Sequence, residues 1–380
     1  MTLRVEMFQG AAALQTLAPA WRTLAARLLP RRHFHCVEWY LALCDTFARF
    51  SLDDILFFAV SCRDELVAVL PFRRIAIDLA GVEVRALQLL SNVLEAATVR
   101  DIVLPAPSAH PELLDVLVRH FDRTEGSWDL LSFPGLLQES GAVGAIGLSP
   151  KLPLTCTPAG LGSRIELVSC GDSDQPFARL SKGFRQNLRT AHNNLRGQDV
   201  RFITATTPSE LAECYPAFLS VESSGWKGEE GTSVARQPIV DKFLQNVMAH
   251  FGPRGECEIH LMSVDDRTVA AMFCVVIDDV CFIARTGYDE TFSKVSPGHL
   301  ILEYVIRRRG AAGHLKAVTP YNSPRWFEAW KPDVVLPILN AYVFRPSLEG
   351  LQLRNRVETS LRRRAADVRA YLEQGGDAAS

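Results

Sequence analysis

The sequence predicts an α/β chain of the α+β kind: two tandem modules, each a mixed, mostly antiparallel sheet flanked by helices. Three observations carry this. Strand-like runs follow one another across two- or three-residue turns, as antiparallel hairpins do. Helical periodicity precedes those runs and returns after them. The stretch FFAVSCRDELVAVLPF (57–72) is echoed without gaps by IHLMSVDDRTVAAMFC (259–274), 202 residues later, so that Ser61 meets Ser263, Asp64 meets Asp266, and Val67-Ala68 meets Val269-Ala270.

In chain order, Leu14, Leu17, Trp21, Leu24 and Leu28 recur at helical steps and predict a helix over 11–29, with a second over 36–50. DDILFFAVSCRDELVAVLPFRRIAI reads as two strands around a tight Arg63-Asp64-Glu65 turn, VRALQLLSN and VRDIVLP as further strands, 110–123 as a helix and SWDLLSFPGL as a strand. The Gly-, Pro-, Ser- and Thr-rich stretch 133–163 is the expected junction. It divides the chain into a degenerate first module (1–150), a second module (151–347) and a terminal helix and tail (348–380).

The second half then reads as a strand at 164–168, a basic helix at 180–197, the strand VRFITAT and a helix opening at Pro208-Ser209. VARQPIVDKFLQNVMAHFG is a further amphipathic helix, and CEIHLMSV, TVAAMFCVVI and VCFIARTGYD are three strands turned at Asp265-Asp266-Arg267 and Asp278-Asp279. A helix follows Ser296-Pro297-Gly298, then the strand HLKAVTP, a short helix in NSPRWFEAWK, the strand VLPILNAYVFRP and a long helix over 348–374 whose apolar stripe is Val357, Leu361, Val368 and Leu372. The stripe predicts docking on the chain's own domain rather than on a membrane.

The totals exclude several classes. At 380 residues, 48% hydrophobic and 22% charged, the composition is that of an ordinary globular protein, and a net charge of -2 gives no global sign of DNA binding. Nine cysteines form no CxxC pair and no Cys/His cluster at zinc spacing, so neither a disulfide framework nor a metal is expected, and reduced thiols point to the cytoplasm. No stretch has the length and apolarity of a membrane span.

The segment GYDETFSKVSPGHLILEYVI (287–306) carries the chemistry most directly. A strand runs into a short loop, and the loop opens a helix at Ser296-Pro297-Gly298. A helix start presents unpaired N–H groups and an effective charge of about +0.5, which suits a pyrophosphate. Pro297 has no N–H to leave unpaired, Gly298 removes a side chain from the approach, and Lys294 adds a mobile cation.

Together with LSKGFRQNLR (180–189), ESSGWKGEEGT (222–232), VAAMF (269–273) and WKP (330–332), this segment resembles the GNAT superfamily of N-acyltransferases, and most nearly its CelD-type, BioF-like branch, which commonly carries two such modules. The specific motifs cover about 165–346; PFRR (71–74) and the strands after it fit a degenerate first module more weakly. Ser293-Lys294-Val295-Ser296-Pro297-Gly298 stands where the family's pyrophosphate loop has a two-glycine pattern, so it departs from that pattern. FemAB-type proteins are similar in fold but take their acyl groups from aminoacyl-tRNA.

The resemblance implies an N-acyltransferase that moves an acyl, most simply acetyl, group from acyl-CoA onto an amine, with a small molecule, glycan or lipid as acceptor. The pantetheine arm would lie along the strand bearing Arg285, Thr286 and Gly287, and the phosphates would meet Lys294, Ser296, Pro297, Gly298 and His299. Attack by an amine needs a base, and Glu222 at a helix end is the first candidate, with Asp289 as the alternative; Tyr321 is the candidate proton donor. Trp226, Lys227, Trp330 and Lys331 are the candidate acceptor contacts. Arg185 and Arg189 share a helix face that could receive an anion: an acidic substrate, the 3′-phosphate of CoA or, in a FemAB-like reading, tRNA. A non-catalytic binding module in exopolysaccharide assembly is the remaining alternative.

Overall fold

The computed structural model describes residues 2–47, 52–79, 81–90, 99–124, 128–167, 175–224, 231–310 and 313–375. The strands are β1 (Leu3–Gln9), β2 (Ile55–Cys62), β3 (Glu65–Asp78), β4 (Glu83–Leu89), β5 (Leu130–Leu137), β6 (Leu154–Glu166), β7 (Val200–Ala205), β8 (Cys257–Val264), β9 (Arg267–Ile277), β10 (Val280–Tyr288), β11 (Ala317–Thr319) and β12 (Val334–Phe344). The α-helices are α1 (Gly10–Ala25), α2 (Val37–Thr46), α3 (Leu113–Thr124), α4 (Gly141–Gly147), α5 (Gln175–Ala178), α6 (Lys182–Asn194), α7 (Pro208–Glu222), α8 (Pro238–Phe251), α9 (Pro297–Tyr304), α10 (Arg325–Glu328) and α11 (Leu348–Gly375).

The strands form one sheet in the order β1-β2-β3-β4-β5-β12-β6-β11-β10-β9-β8-β7. Its two halves mirror each other. In each, three antiparallel pairings lead to one short parallel ladder, β4 with β5 over 86–88 and β10 with β11 over 280–282. The halves exchange their closing strands: β12 pairs with β5 of the first half, and β6 pairs with β11 of the second. β6 and β12 then pair with each other from Val334↔Arg164 to Val343↔Leu154 and join the halves into one sheet.

The sequence echo is preserved in the hydrogen-bond register. Cys62 faces Glu65 as Val264 faces Arg267, and both hairpins carry a register shift at the same place, Val60/Ser61 and Met262/Ser263. Arg63-Asp64 and Asp265-Asp266 turn with φ of 50°, 65°, 48° and 63°, the left-handed pair that a two-residue turn needs to follow the twist of its strands. Asp carries such angles at less cost than most residues because its short side chain can hydrogen-bond locally.

α2 and α8 each precede one of these hairpins and pack on each other between the two halves. Trp39 meets Phe243 edge-on at 5.0 Å, Asn246 donates to Thr46 Oγ1 at 3.1 Å, and His250 bonds Asp45 at 2.7 Å. One apolar cluster runs without a break from Trp21, Trp39 and Phe57 to Phe218, Phe243 and Phe273, so the two modules share a core. Arg31 adds ion pairs across the boundary to Asp278 at 2.9 Å and Glu256 at 3.5 Å. His33 stacks on Phe282 with 4.1 Å between ring centroids.

Several expectations are corrected. The stretch 133–163 holds the end of β5, helix α4 capped by Ser140, and most of β6, none of which the composition announced. β6 is far longer than the expected strand at 164–168 because Gly162 lets it pass between Leu137 and the Tyr321 carbonyl, where a Cβ would meet atoms at 3.0 and 3.1 Å. β1 is an added edge strand missing from the expected elements, although Leu3-Arg4-Val5-Glu6-Met7 alternates apolar and polar residues. VRDIVLP forms only isolated bridges, Arg100↔Leu136 and Val69↔Val103. Of the stripe on α11, Val357 is fully buried and Leu361 partly so, in a cluster with Val84, Leu130 and Phe344 of the first half of the sheet; the side chains of Val368 and Leu372 lie outside the described residues.

Candidate active site

β11 follows β10 for three residue pairs only. From Ile283 to Tyr288, β10 pairs with β9 alone among the described residues, and its other edge opens into a cleft. Two irregularities shape this end of the strand. Ala284 is an extra residue between Ile283↔Cys274 and Arg285↔Phe273, a bulge that re-aims the residues beyond it. Gly287 lies against the C-terminus of α7, where a Cβ would stand 2.6 Å from the Glu222 Cα. Only glycine allows the strand and the helix end to approach this closely.

A cavity of about 420 Å³ occupies the cleft, lined by Glu222, Thr286, Gly287, Tyr288, Glu290, Ser293, Ser296, Gly298, His299 and Trp326. Glu222 is 1% exposed, and its Oε2 accepts the Val234 N–H at 2.8 Å, which ties the 234–236 turn back onto α7. Thr286 donates its hydroxyl to the Ala271 carbonyl at 3.2 Å.

The far wall is the start of α9. Ser296 adopts φ 47°, and this left-handed turn places Pro297 at the first helical position. The Ser296 carbonyl accepts the N–H groups of His299 at 2.9 Å and Leu300 at 3.2 Å. Gly298 borders the cavity, and among the described residues a methyl group there would meet Tyr288 alone, at 3.6 Å.

His299 is the most constrained polar group of the wall. The Trp330 indole N–H donates to its Nδ1 at 3.1 Å, and Phe184 and Trp330 enclose the ring. An indole can only donate, so Nδ1 must be unprotonated and the neutral ring carries its proton on Nε2. Burial pushes the His299 pKa below its ordinary value, in the same direction. The residue is therefore a neutral hydrogen-bond donor, not a base.

The structure places the other candidates as follows. Arg285 is half-buried on β10 beside the cleft, and Lys294 is exposed on the loop before α9. Asp289 is buried next to the cavity, but its carboxylate takes the Thr291 N–H at 3.0 Å and hydroxyl at 2.7 Å and pairs with Arg267. Burial pushes its pKa up, yet the Thr291 hydrogen bonds and the Arg267 charge outweigh this and hold it below the usual carboxylate range. A group so engaged caps the 290–295 turn.

Tyr321 does not reach the cavity. It turns with φ 57° into the shared core against His33, Phe34 and Phe282, where burial pushes its phenol up to about 12. Trp330 is 1% exposed and reaches the cavity wall through its hydrogen bond to His299, while Lys331 is exposed just beyond α10. Trp226 and Lys227 lie outside the described residues. Trp326, Tyr288, Glu290 and Ser293 line the cavity without having been singled out in the sequence as site residues. Trp326 had a visible signal, a second tryptophan in the segment that supplies Trp330.

The corresponding cleft of the first half is filled by the chain itself. Beyond the β4–β5 ladder, residues 99–104 bridge to β5 at Leu136 and to β3 at Val69, with Val99, Ile102, Val103 and Leu104 all buried. Asp101 fixes this segment by accepting the N–H groups of Gly141 and Ala142 at 2.8 and 2.9 Å. Among the described residues no group of His, Cys, Asp and Glu is arranged to hold a metal, and no helix is long and apolar enough to cross a membrane.

The site is thus a mostly antiparallel sheet that splits beside a bulged strand, with a helix start facing the split. Residues 182–318 match the family model of the acetyltransferase (GNAT) domain. The chain therefore carries a GNAT acetyltransferase domain over these residues and is an acyltransferase. Among solved structures it is similar to FemX, at 10% identity and TM-score 0.54 over 82% of this chain and 92% of that one. It is also similar to a tandem GNAT protein from the clavulanic acid biosynthesis pathway, at 11% identity and TM-score 0.50 over 90% of this chain and 99% of that one. No curated protein matches the chain in sequence.

Proposed function

We propose that the second module takes an acyl group from acyl-CoA and passes it directly to an amine, with no covalent enzyme intermediate. The observation that carries this is the convergence on one cavity of an unpaired edge of β10, the start of α9 and the buried Glu222 carboxylate.

The residues fit such a donor. The edge at 283–288 offers backbone groups to a pantetheine arm as an added strand would. The positive end of α9, the side-chain-free Gly298 and the Nε2–H of His299 form a donor set for phosphate oxygens. A backbone N–H of β10 would hold the thioester carbonyl and stabilise the oxyanion as it forms.

Chemistry then needs a proton acceptor. An ammonium has no lone pair, so Glu222, directly or through a water, takes one proton from the amine; the amine attacks the thioester carbon, and the tetrahedral adduct collapses with loss of the thiolate. The thiolate is protonated as it leaves. No side chain is assigned to that step, since Tyr321 is remote from the cavity. The acceptor is an amine on a small molecule, a glycan or a lipid, and by resemblance to the CelD-type branch the setting is polysaccharide or lipid biosynthesis in the cytoplasm.

The similarity in fold to FemX supports a second reading, in which the acyl group is an aminoacyl group delivered by tRNA. Thermal shift and native mass spectrometry against CoA, acetyl-CoA and charged tRNA separate the two. Stabilisation by CoA compounds supports the first reading; stabilisation by charged tRNA alone replaces it with the second.

A further inference from the structure

α9 does not end at Tyr304 as an α-helix would but continues over Val305–Gly310 as a π-helix. Such segments are uncommon and occur frequently at functional sites. Beside it, the seam between α6 and α9 opens into a groove of about 610 Å³. Phe177 and Leu188 give it an apolar floor, and Arg185, Arg189 and Arg307 line its walls.

The charges in the groove do not balance. Glu303 is 7% exposed and fully engaged, with Oε2 on His192 at 2.9 Å and Oε1 on the Arg307 Nε at 2.9 Å. Its one negative charge is thus answered by Arg307, whose guanidinium is also held 3.7 Å over the Phe177 ring. Arg185 and Arg189 stand one turn apart on α6 and have no acidic partner among the described residues. Two arginines line the same groove as a third whose guanidinium is already held in place. Planar guanidinium forks match phosphate oxygens in geometry as well as charge.

We propose that this groove is a binding site for a phosphomonoester dianion. It begins close to the cavity: Phe184, the residue before Arg185, touches His299, and Glu303 lies one helical turn beyond His299 on α9. The phosphate has two sources of the same chemistry, the phosphomonoester at the nucleotide end of the donor or one carried by the acceptor. Assignment to the donor rests on the acyl-CoA reading; the groove itself does not.

The test is calorimetric titration of the full chain at low salt with CoA, 3′-dephospho-CoA and inorganic phosphate, repeated with the R185Q/R189Q double variant. Both arginines are exposed, so the fold is expected to survive. A donor phosphate in the groove makes CoA bind about tenfold or more tightly than dephospho-CoA in the parent, a ratio that falls toward one in the variant while dephospho-CoA binding is unchanged. Equal binding of the two CoA compounds, with inorganic phosphate bound by the parent and lost in the variant, assigns the site to a phosphorylated acceptor. Absence of both effects overturns the proposal, even if dephospho-CoA still binds and the cavity assignment stands. If no CoA compound binds but the phosphate effect persists, the cavity assignment fails and the groove remains.

Discussion

The Trp330 indole N–H points at Nδ1 of His299 across 3.1 Å, and this single contact decides which proton the imidazole can offer. Nε2 carries the hydrogen, and a second proton at Nδ1 would face the indole hydrogen. Replacing Trp330 with Phe removes that opposition. The His299 pKa is expected to rise while staying below its ordinary value, because burial persists, a change observable by NMR of the ring nitrogens. The sign of the linkage follows. A histidine held below its unfolded pKa stabilises the fold fully above about pH 6.5, and that contribution is lost as the pH falls toward the depressed value. Parent stability should therefore drop on acidification through this window, and Trp330→Phe should flatten the drop. A protonated Nδ1 in the parent at neutral pH would refute the assignment.

Glu222→Gln separates the two duties of that side chain. The amide oxygen can still accept the Val234 N–H, so the melting temperature should change little. Turnover should fall by roughly 10²–10⁴ while CoA affinity is retained. Steady-state kinetics beside calorimetry measures both, and full activity at every pH removes Glu222 as the base.

Gly287→Ala tests the contact that brings α7 to the strand. The added methyl would sit 2.6 Å from the Glu222 Cα, a backbone atom that cannot rotate away. A loss of about 1–3 kcal/mol in denaturant unfolding is expected, with impaired turnover as Glu222 is displaced. Unchanged stability would mean that strand and helix are not in contact.

Gly298→Val addresses the phosphate seat. A first Cβ is tolerated, with Tyr288 at 3.6 Å, so alanine should be mild. Valine fills the approach and should abolish the melting shift given by CoA while leaving the unliganded protein folded. An unaltered shift in the valine variant rules out the seat.

Trp39→Ala probes the shared core. Its ring meets Phe243 and Phe251 of the second half, and its loss should cost about 3–5 kcal/mol. Because one apolar cluster spans both halves, thermal unfolding should remain a single transition at a lower temperature. Two separated transitions would contradict a common core.

The hairpins were legible because their information is local: alternation and a two-residue turn fix a register, and β2–β3 and β8–β9 keep it to the residue. The start of α9 was legible for the same reason, since Ser296-Pro297-Gly298 spells the turn and the first helical position. β6 was not legible, because Pro158, Gly160 and Gly162 resemble loop punctuation. At Gly162 the glycine serves a close tertiary approach that no window of neighbouring residues contains. Tyr321 and Trp330 show the same limit. Both stand in the expected segment, yet a left-handed turn at 321 and the facing of α10 send the tyrosine into the core, the indole onto His299 and Trp326 to the cavity.

The exchange of β6 and β12 has a consequence for synthesis of the chain. β5 cannot gain its outer neighbour until residues 334–344 have left the ribosome, so the first half waits for nearly the whole polypeptide with a hydrogen-bonding edge exposed. Translation that stops after the second half's β11 would release a protein whose second half holds its closing strand β6 while the first lacks β12, and a nascent-chain chaperone would have most to shield at Leu130–Leu137.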